Sequence, residues 1–198
     1  EYRGKSSKLL ILIFVAVLLL EAAVIFVLCS KKSLPLQYSF AILAILLGLF
    51  INIVFPPLGV PDEKLHFKQS YEIASNILHP FDKTKVYEND RLLIRATDYD
   101  SIYYLHSAAS IAGWYEGLWD KADKTPVPID TGVTVTSSGK YAYFFGAVGI
   151  IFARVLGMNG HWLLLFGRFF NMAACVTIIC FAIKMAPMKK SLFMLIAL

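Results

Sequence analysis

Asp62 and Glu63 form an acidic pair, and His66 follows four and three residues later. On a helix that spacing places the three side chains on one face. Carboxylates so grouped can take a proton from a hydroxyl, or hold a divalent cation such as Mg²⁺ or Mn²⁺, with His66 in support. The pair stands directly behind a stiff stretch, Phe55-Pro56-Pro57-Leu58-Gly59-Val60-Pro61. A second reading of the same residues is structural. Acidic side chains in a first helical turn cap the helix and complement its dipole.

Other residues offer related chemistry. Asp98-Tyr99-Asp100 has the Asp-x-Asp spacing that can hold a metal–phosphate pair, and it also suits a helix start. Arg168 interrupts a long apolar run. An arginine at the bilayer centre costs at least about 2.5 kcal/mol on insertion scales. It can bind a lipid-borne phosphate bidentately, or extend its head to the interface as a structural residue. Arg154 carries the same two readings. Trp114, Tyr115 and Trp119 suit either sugar stacking or a membrane interface.

These residues must be held by membrane helices. The 198 residues are 58% hydrophobic and only 17% charged, with a mean hydropathy of +0.63. Apolar runs at residues 9–28, 34–55 and 161–183 each match the roughly 20 residues that cross a bilayer core. The first is broken only by Glu21, and a signal peptide is its rival reading. Residues 191–198 open a further apolar run, which we expect to continue in a longer polytopic protein. The expected fold is therefore all-α, an integral membrane protein with a partly helical outer loop.

Charge placement argues against nucleic acid and sets an orientation. Residues 56–140 hold nine Lys/Arg against twelve Asp/Glu, whereas the remainder holds ten against two. The basic excess lies at the ends of apolar runs, where cytoplasmic loops and anionic headgroups place it. With Lys31, Lys32, Lys184, Lys189 and Lys190 inside, residues 56–140 form an extracytoplasmic loop. Residues 141–157 then lie at, or dip into, the outer interface. The alternative is a crossing helix with Arg154 reaching the headgroups. Cys29, Cys175 and Cys180 sit in or beside apolar runs and build no disulfide framework or zinc site.

The loop itself is patterned. Asp62 is expected to N-cap a helix over 63–78 that ends before His79-Pro80. Residues 81–90 look turn-like. A second helix is expected from Asp98 or Asp100 through Trp119, broken by Thr125-Pro126-Val127-Pro128. Residues 129–143 suit a short hairpin or an extended loop.

The proline-rich exit followed by Pro61-Asp62-Glu63-x-x-His66-Phe67 resembles the first outer loop of a family of multi-spanning bacterial membrane proteins. That family is catalogued as a domain of unknown function and grouped with the GT-C glycosyltransferases. A second block is similar in order and spacing to the helix pair closing that loop. It runs from Tyr143-Phe144-Phe145-Gly146 through Arg154-Val155-Leu156-Gly157 to Gly167-Arg168-Phe169-Phe170-Asn171. Phe145 stands where a proline is expected. The resemblance covers residue 34 to the end. It implies a polytopic GT-C-like fold at the cell membrane. It also implies transfer of a sugar from a polyprenyl-phosphate carrier to a cell-surface glycan or lipid acceptor on the outer face. Asp62 would then be base or metal ligand, with Glu63 and His66 supporting it, while Arg168, Arg154, Asp98 and Asp100 would meet the lipid phosphate. Membrane lipids are expected partners and nucleic acid is not. A non-catalytic lipid- or glycan-binding subunit, or part of a transporter, is the alternative.

Overall fold

The computed structural model describes residues 34–55, 58, 62–78, 85–87, 90, 93, 114, 116–123, 125–128 and 141–186, with positions 15–16, 19–20, 23–24, 27, 191 and 194. Four helices are described: α1 (Leu36–Val54), α2 (Glu63–Leu78), α3 (Phe144–Val155) and α4 (Gly160–Met185). Two short strands, β1 (Lys85–Tyr87) and β2 (Pro126–Pro128), pair antiparallel with Val86 opposite Val127. The chain divides into two compact units, residues 1–54 with 172–198, and residues 55–171.

In the first unit, α1 and the later part of α4 run antiparallel. Cys180 Sγ lies 3.4 Å from the Gln37 carbonyl, and Gly48 abuts the Met172 side chain. Phe40, Val176 and Ile183 form the packed seam, joined by Leu36, Ala44 and Ile179. The outward faces are apolar too, with Ile42, Ile45, Leu49, Ile178 and Phe181 exposed. Helices apolar on every side belong in a bilayer rather than in water. α4 has 26 residues, about 39 Å at 1.5 Å per residue, and is long and apolar enough to cross a bilayer core of about 30 Å. α1, with 19 residues, is about 28 Å long.

The second unit has its own core, built from Leu58, Phe67, Tyr71, Ala74, Val86, Leu93, Trp114, Ala147, Ile150, Ala153, Leu163 and Leu164. α2 packs along α3. α3 buries a row of small residues, Gly146, Ala147, Gly149 and Ala153, and leaves Phe144, Phe145, Phe152 and Val155 exposed. A Cβ on Gly149 would stand 2.3 Å from the Phe166 carbonyl oxygen, so only glycine lets α3 approach the start of α4 this closely. α3 has 12 residues, about 18 Å, which does not reach across a 30 Å core. It ends on Gly157 at φ 72°, where Gly157 N–H donates to the Arg154 carbonyl and Met158 N–H to that of Ala153. This is a Schellman close.

Several expectations change here. The described fold is mostly helical but not all-α, because β1 and β2 pair across the loop region. β1 falls inside the stretch read as turn-like, and β2 in the Pro-Val-Pro breaker. Proline holds an extended backbone and lacks only the N–H donor, so it is tolerated at the ends of a short edge strand. α2 starts and stops where expected. Asp62 precedes it and its carbonyl accepts the His66 N–H at 3.0 Å, but its φ is 63°. That is left-handed backbone, not the extended form of a side-chain cap. Trp114 is buried in the core with its ring 4.3 Å from that of His161, and so has neither a sugar-stacking nor an interfacial role. Of the second expected helix, Trp114 and Glu116 are helical and Gly117–Trp119 close it as a 3-10 turn. Residues 94–113 and 129–140 lie outside the described residues.

Candidate functional site

The first turn of α2 carries Glu63 and His66, Ser70 ends the second, and Tyr71 opens the third. Across from them lie the start of α3 and one face of α4. Arg168 on α4 grips Glu63 side-on: Nε donates to Oε1, and Nη2 donates to Oε2 at 2.7 Å. Nη1 also donates to the Phe55 carbonyl at 3.2 Å. Both side chains are largely buried, 13% and 15% exposed. A forked guanidinium matches a carboxylate in this way, whereas an ammonium is a point charge. The arginine that stood out in an apolar run is thus matched by a carboxylate 105 residues away.

His66 and Tyr143 meet beside this pair, with Nδ1 3.3 Å from the phenol oxygen and ring centroids 5.4 Å apart. Ser70 Oγ donates to the Tyr143 carbonyl at 3.3 Å. Glu63, His66, Ser70, Gly146, Arg168 and Asn171 line a small cleft of about 60 Å³. Asp62 is exposed next to Glu63 on the surface. Leu58, within the proline-rich stretch, and Asp62, directly after it, both have left-handed backbone, with φ of 57° and 63°. For Leu58 this is a strained conformation, held by complete burial.

A second polar cluster lies further along α2. Arg154 pairs with the fully buried Asp90 and donates from Nη2 to the Tyr71 hydroxyl at 2.9 Å. Tyr71 in turn donates to Asp90 Oδ2 at 2.7 Å. The Arg154 guanidinium also stacks on Tyr87 of β1, 4.6 Å from the ring centroid. Burial pushes the Asp90 carboxyl up from its ordinary range, and the Arg154 charge offsets this only in part. Burial and the neighbouring Asp90 raise the Tyr71 phenol as well, which keeps it a donor. Asp90 Oδ1 is buried without a hydrogen bond.

A third tie fixes the start of α4. Asn159, 2% exposed, donates from Nδ2 to the carbonyls of Gly117 and Asp120, each at 2.8 Å. Its Oδ1 accepts the His161 N–H at 3.1 Å, as an N-cap does.

The structure therefore brings Glu63, His66 and Arg168 together, with Asp62 beside them. Arg154 lies in the other cluster, facing Asp90. Asp98 and Asp100 lie outside the described residues. As a metal site the set fits poorly. Both Glu63 oxygens accept from Arg168, leaving one exposed carboxylate, and no group of three or more His, Cys, Asp or Glu is placed to bind a metal among the described residues. Sequence reasoning missed Tyr71, Asp90, Tyr143 and Asn159. Only Asn159 had a local signal, a capping residue directly before an apolar run.

A long apolar helix with outward-facing apolar surfaces, its one buried arginine paired to a glutamate, is compatible with a helical membrane protein. The chain belongs to the family described as predicted membrane protein (DUF2142), whose model matches residues 43–198. No curated protein and no solved structure matches it.

Proposed function

We propose that this protein is, or is part of, a GT-C-like membrane glycosyltransferase that moves a sugar from a polyprenyl-phosphate donor to a cell-surface glycan or lipid acceptor. The observation that carries the reading is the division of labour at the start of α2. Arg168 holds Glu63 fast in a cleft lined by His66, Ser70 and its own guanidinium, while Asp62, the preceding residue, is exposed.

In this reading Asp62 takes the proton of the acceptor hydroxyl as its oxygen bonds to the sugar's anomeric carbon. The bond from that carbon to the phosphate oxygen breaks, and the lipid phosphate leaves with the electron pair. Arg168 would meet the phosphate as a hydrogen-bond donor, its charge already largely met by Glu63, which aims the guanidinium. His66, oriented by Tyr143, lies within one helical turn of Asp62 and can hydrogen-bond the acceptor. Because Asp90 already engages Arg154, we give that arginine a positioning role. Residues 56–140 would face outward, where Ser137→Cys in a cysteine-free background should react with an impermeant maleimide on intact cells. Protection there would sink the outward orientation.

The test of activity is Asp62→Asn in the native full-length protein, with analysis of surface glycans. Asp62 is exposed, so the variant should express and fold normally while the glycan product falls at least about a hundredfold, the usual weight of a general base. An unchanged glycan would remove the catalytic role. A membrane subunit that binds lipid without chemistry would show that outcome.

A further inference from the structure

The cleft beside Glu63 has a floor that the proposed transfer does not use. Ser70 of α2, 4% exposed, gives its hydroxyl hydrogen to the Tyr143 carbonyl. Its Oγ therefore offers only lone pairs to a guest. Asn171, on α4 one turn beyond Arg168, is exposed, and its side-chain amide makes no hydrogen bond among the described residues. Gly146 of α3 lies between the two. A Cβ there would stand 2.6 Å from Ser70 Oγ and 3.1 Å from Asn171 Nδ2. The two polar atoms are thus no farther apart than the sum of those distances. One hydroxyl oxygen can bridge them, at about 2.8 Å to each. It can do so only because residue 146 has no side chain.

A guest on this floor must both give and take a hydrogen bond. Asn171 Nδ2 donates, Ser70 Oγ accepts, and the Glu63 carboxylate lines the same cleft. An anion has no hydrogen for Ser70 and meets the Glu63 charge. An ammonium has no lone pair for Asn171. A neutral hydroxyl suits both. Size narrows the choice further. The cleft of about 60 Å³ equals the share of roughly two water molecules, at about 30 Å³ each, so it holds two heavy atoms and not a sugar ring. A hydroxymethyl arm, one carbon and one oxygen, has that size. Asp62 is not among the residues that line the cleft, so a hydroxyl held here is recognised rather than deprotonated. We infer that Ser70, Asn171 and Gly146 form a subsite for the hydroxymethyl arm of the acceptor sugar, which selects a hexoside over a pentoside. That the guest is a sugar rests on the function proposed above, and that it is the acceptor's rests on His66, which lines the same cleft.

The full chain in nanodiscs is titrated with the methyl glycosides of glucose, galactose and mannose, and with methyl xyloside, which keeps the glucoside ring but lacks the arm. Saturation-transfer NMR reads binding and shows which protons face the protein. The best hexoside should bind about tenfold more tightly than the xyloside, the worth of one hydrogen-bonded hydroxyl, with the strongest transfer at its hydroxymethyl protons. Gly146→Ala, which puts a methyl group on the floor, should abolish the preference. Asn171→Ala should reduce it severalfold, and it should fold normally because Asn171 is exposed, which covers the case that Gly146→Ala disturbs the packing of α2 on α3. A xyloside that binds as tightly as every hexoside overturns the subsite. So does a preference that both variants leave unchanged. Binding needs no turnover, so the two proposals fail separately. A hexoside preference with a surface glycan unchanged by Asp62→Asn keeps the subsite and removes the reaction. Loss of the glycan in Asp62→Asn, with no hexoside preference in wild type, does the reverse.

Discussion

Arg168 and Glu63, 105 residues apart, are joined by two parallel hydrogen bonds at a depth where little water reaches either. The pair ties the first turn of α2 to α4. It also offsets the charge that made Arg168 costly in an apolar helix. Breaking such a pair from one side leaves the other charge buried and uncompensated.

Arg168→Ala should therefore destabilise the protein by about 3 kcal/mol, read as a lower thermal midpoint in detergent. Arg168→Lys should recover only part of this, because a lysine cannot make the forked contact. Adding Glu63→Gln to Arg168→Ala should restore stability relative to the single variant, since the stranded carboxylate is gone. Asp62→Asn, one residue away, should leave the midpoint in place because Asp62 is exposed. A double variant no more stable than Arg168→Ala would show that the pair is not what anchors α2.

The Asp90–Arg154 pair should respond to pH in a defined direction. Burial raises the Asp90 carboxyl above its unfolded value. Its contribution is then fully present below about pH 4 and is lost as pH rises through the folded value. Asp90→Asn removes the titrating carboxyl and should flatten this slope, but it leaves the Arg154 guanidinium without its counter-charge and should lower stability at neutral pH. Arg154→Met strands the carboxylate, and should cost about 3 kcal/mol at neutral pH and less in acid. Unfolding midpoints of the three proteins across pH 4 to 8 decide it. A wild-type stability that rises with pH over this range would reverse the assignment.

How far these relationships could be read from the chain depends on their range. α2 was legible at both ends, because an acidic start and His79-Pro80 are local signals. Arg168 drew notice because a charge in an apolar run is itself anomalous. Its partner was legible as a candidate but not as a partner, since nothing local encodes a contact over 105 residues. Asp90 lay in a stretch that read as polar turn. It becomes a buried anchor only because Arg154, 64 residues on, and Tyr71 enclose it. Trp114 was misplaced for the same reason, since its burial depends on His161 and the core around it. The three-residue strands are too short for any alternation to appear.

Two glycines at helix contacts should behave differently when given a methyl group. At Gly149 the new Cβ meets the backbone of Phe166, at 2.3 Å from its oxygen and 2.7 Å from its carbonyl carbon. Backbone cannot rotate away, so α3 must shift, and Gly149→Ala should cost about 1–3 kcal/mol as overpacking. At Gly48 the Cβ meets the Met172 side chain, a flexible thioether. Gly48→Ala should be nearly neutral or slightly stabilising, because alanine favours the helix. Thermal midpoints of the two variants give the comparison. Equal losses would mean that α3 does not approach α4 as closely as described.

Asn159 joins the 3-10 turn Gly117–Trp119 to the first turn of α4, and its two ends do different work. The oxygen caps the helix, and the nitrogen satisfies the carbonyls of Gly117 and Asp120. Asn159→Ala loses both and should cost about 2 kcal/mol or more, from a lost cap and unsatisfied buried carbonyls. Asn159→Asp keeps the capping oxygen but turns an acceptor towards those two carbonyls. If the cap dominated, aspartate would be the better substitute, since it caps as well as asparagine does. The burial of Asn159 and its two 2.8 Å donor bonds argue the other way, so Asn159→Asp should be at least as damaging as Asn159→Ala. Hydrogen exchange should then show the loss at the Gly117–Trp119 turn as well as at the start of α4. Loss at the helix start alone would reduce Asn159 to a simple cap.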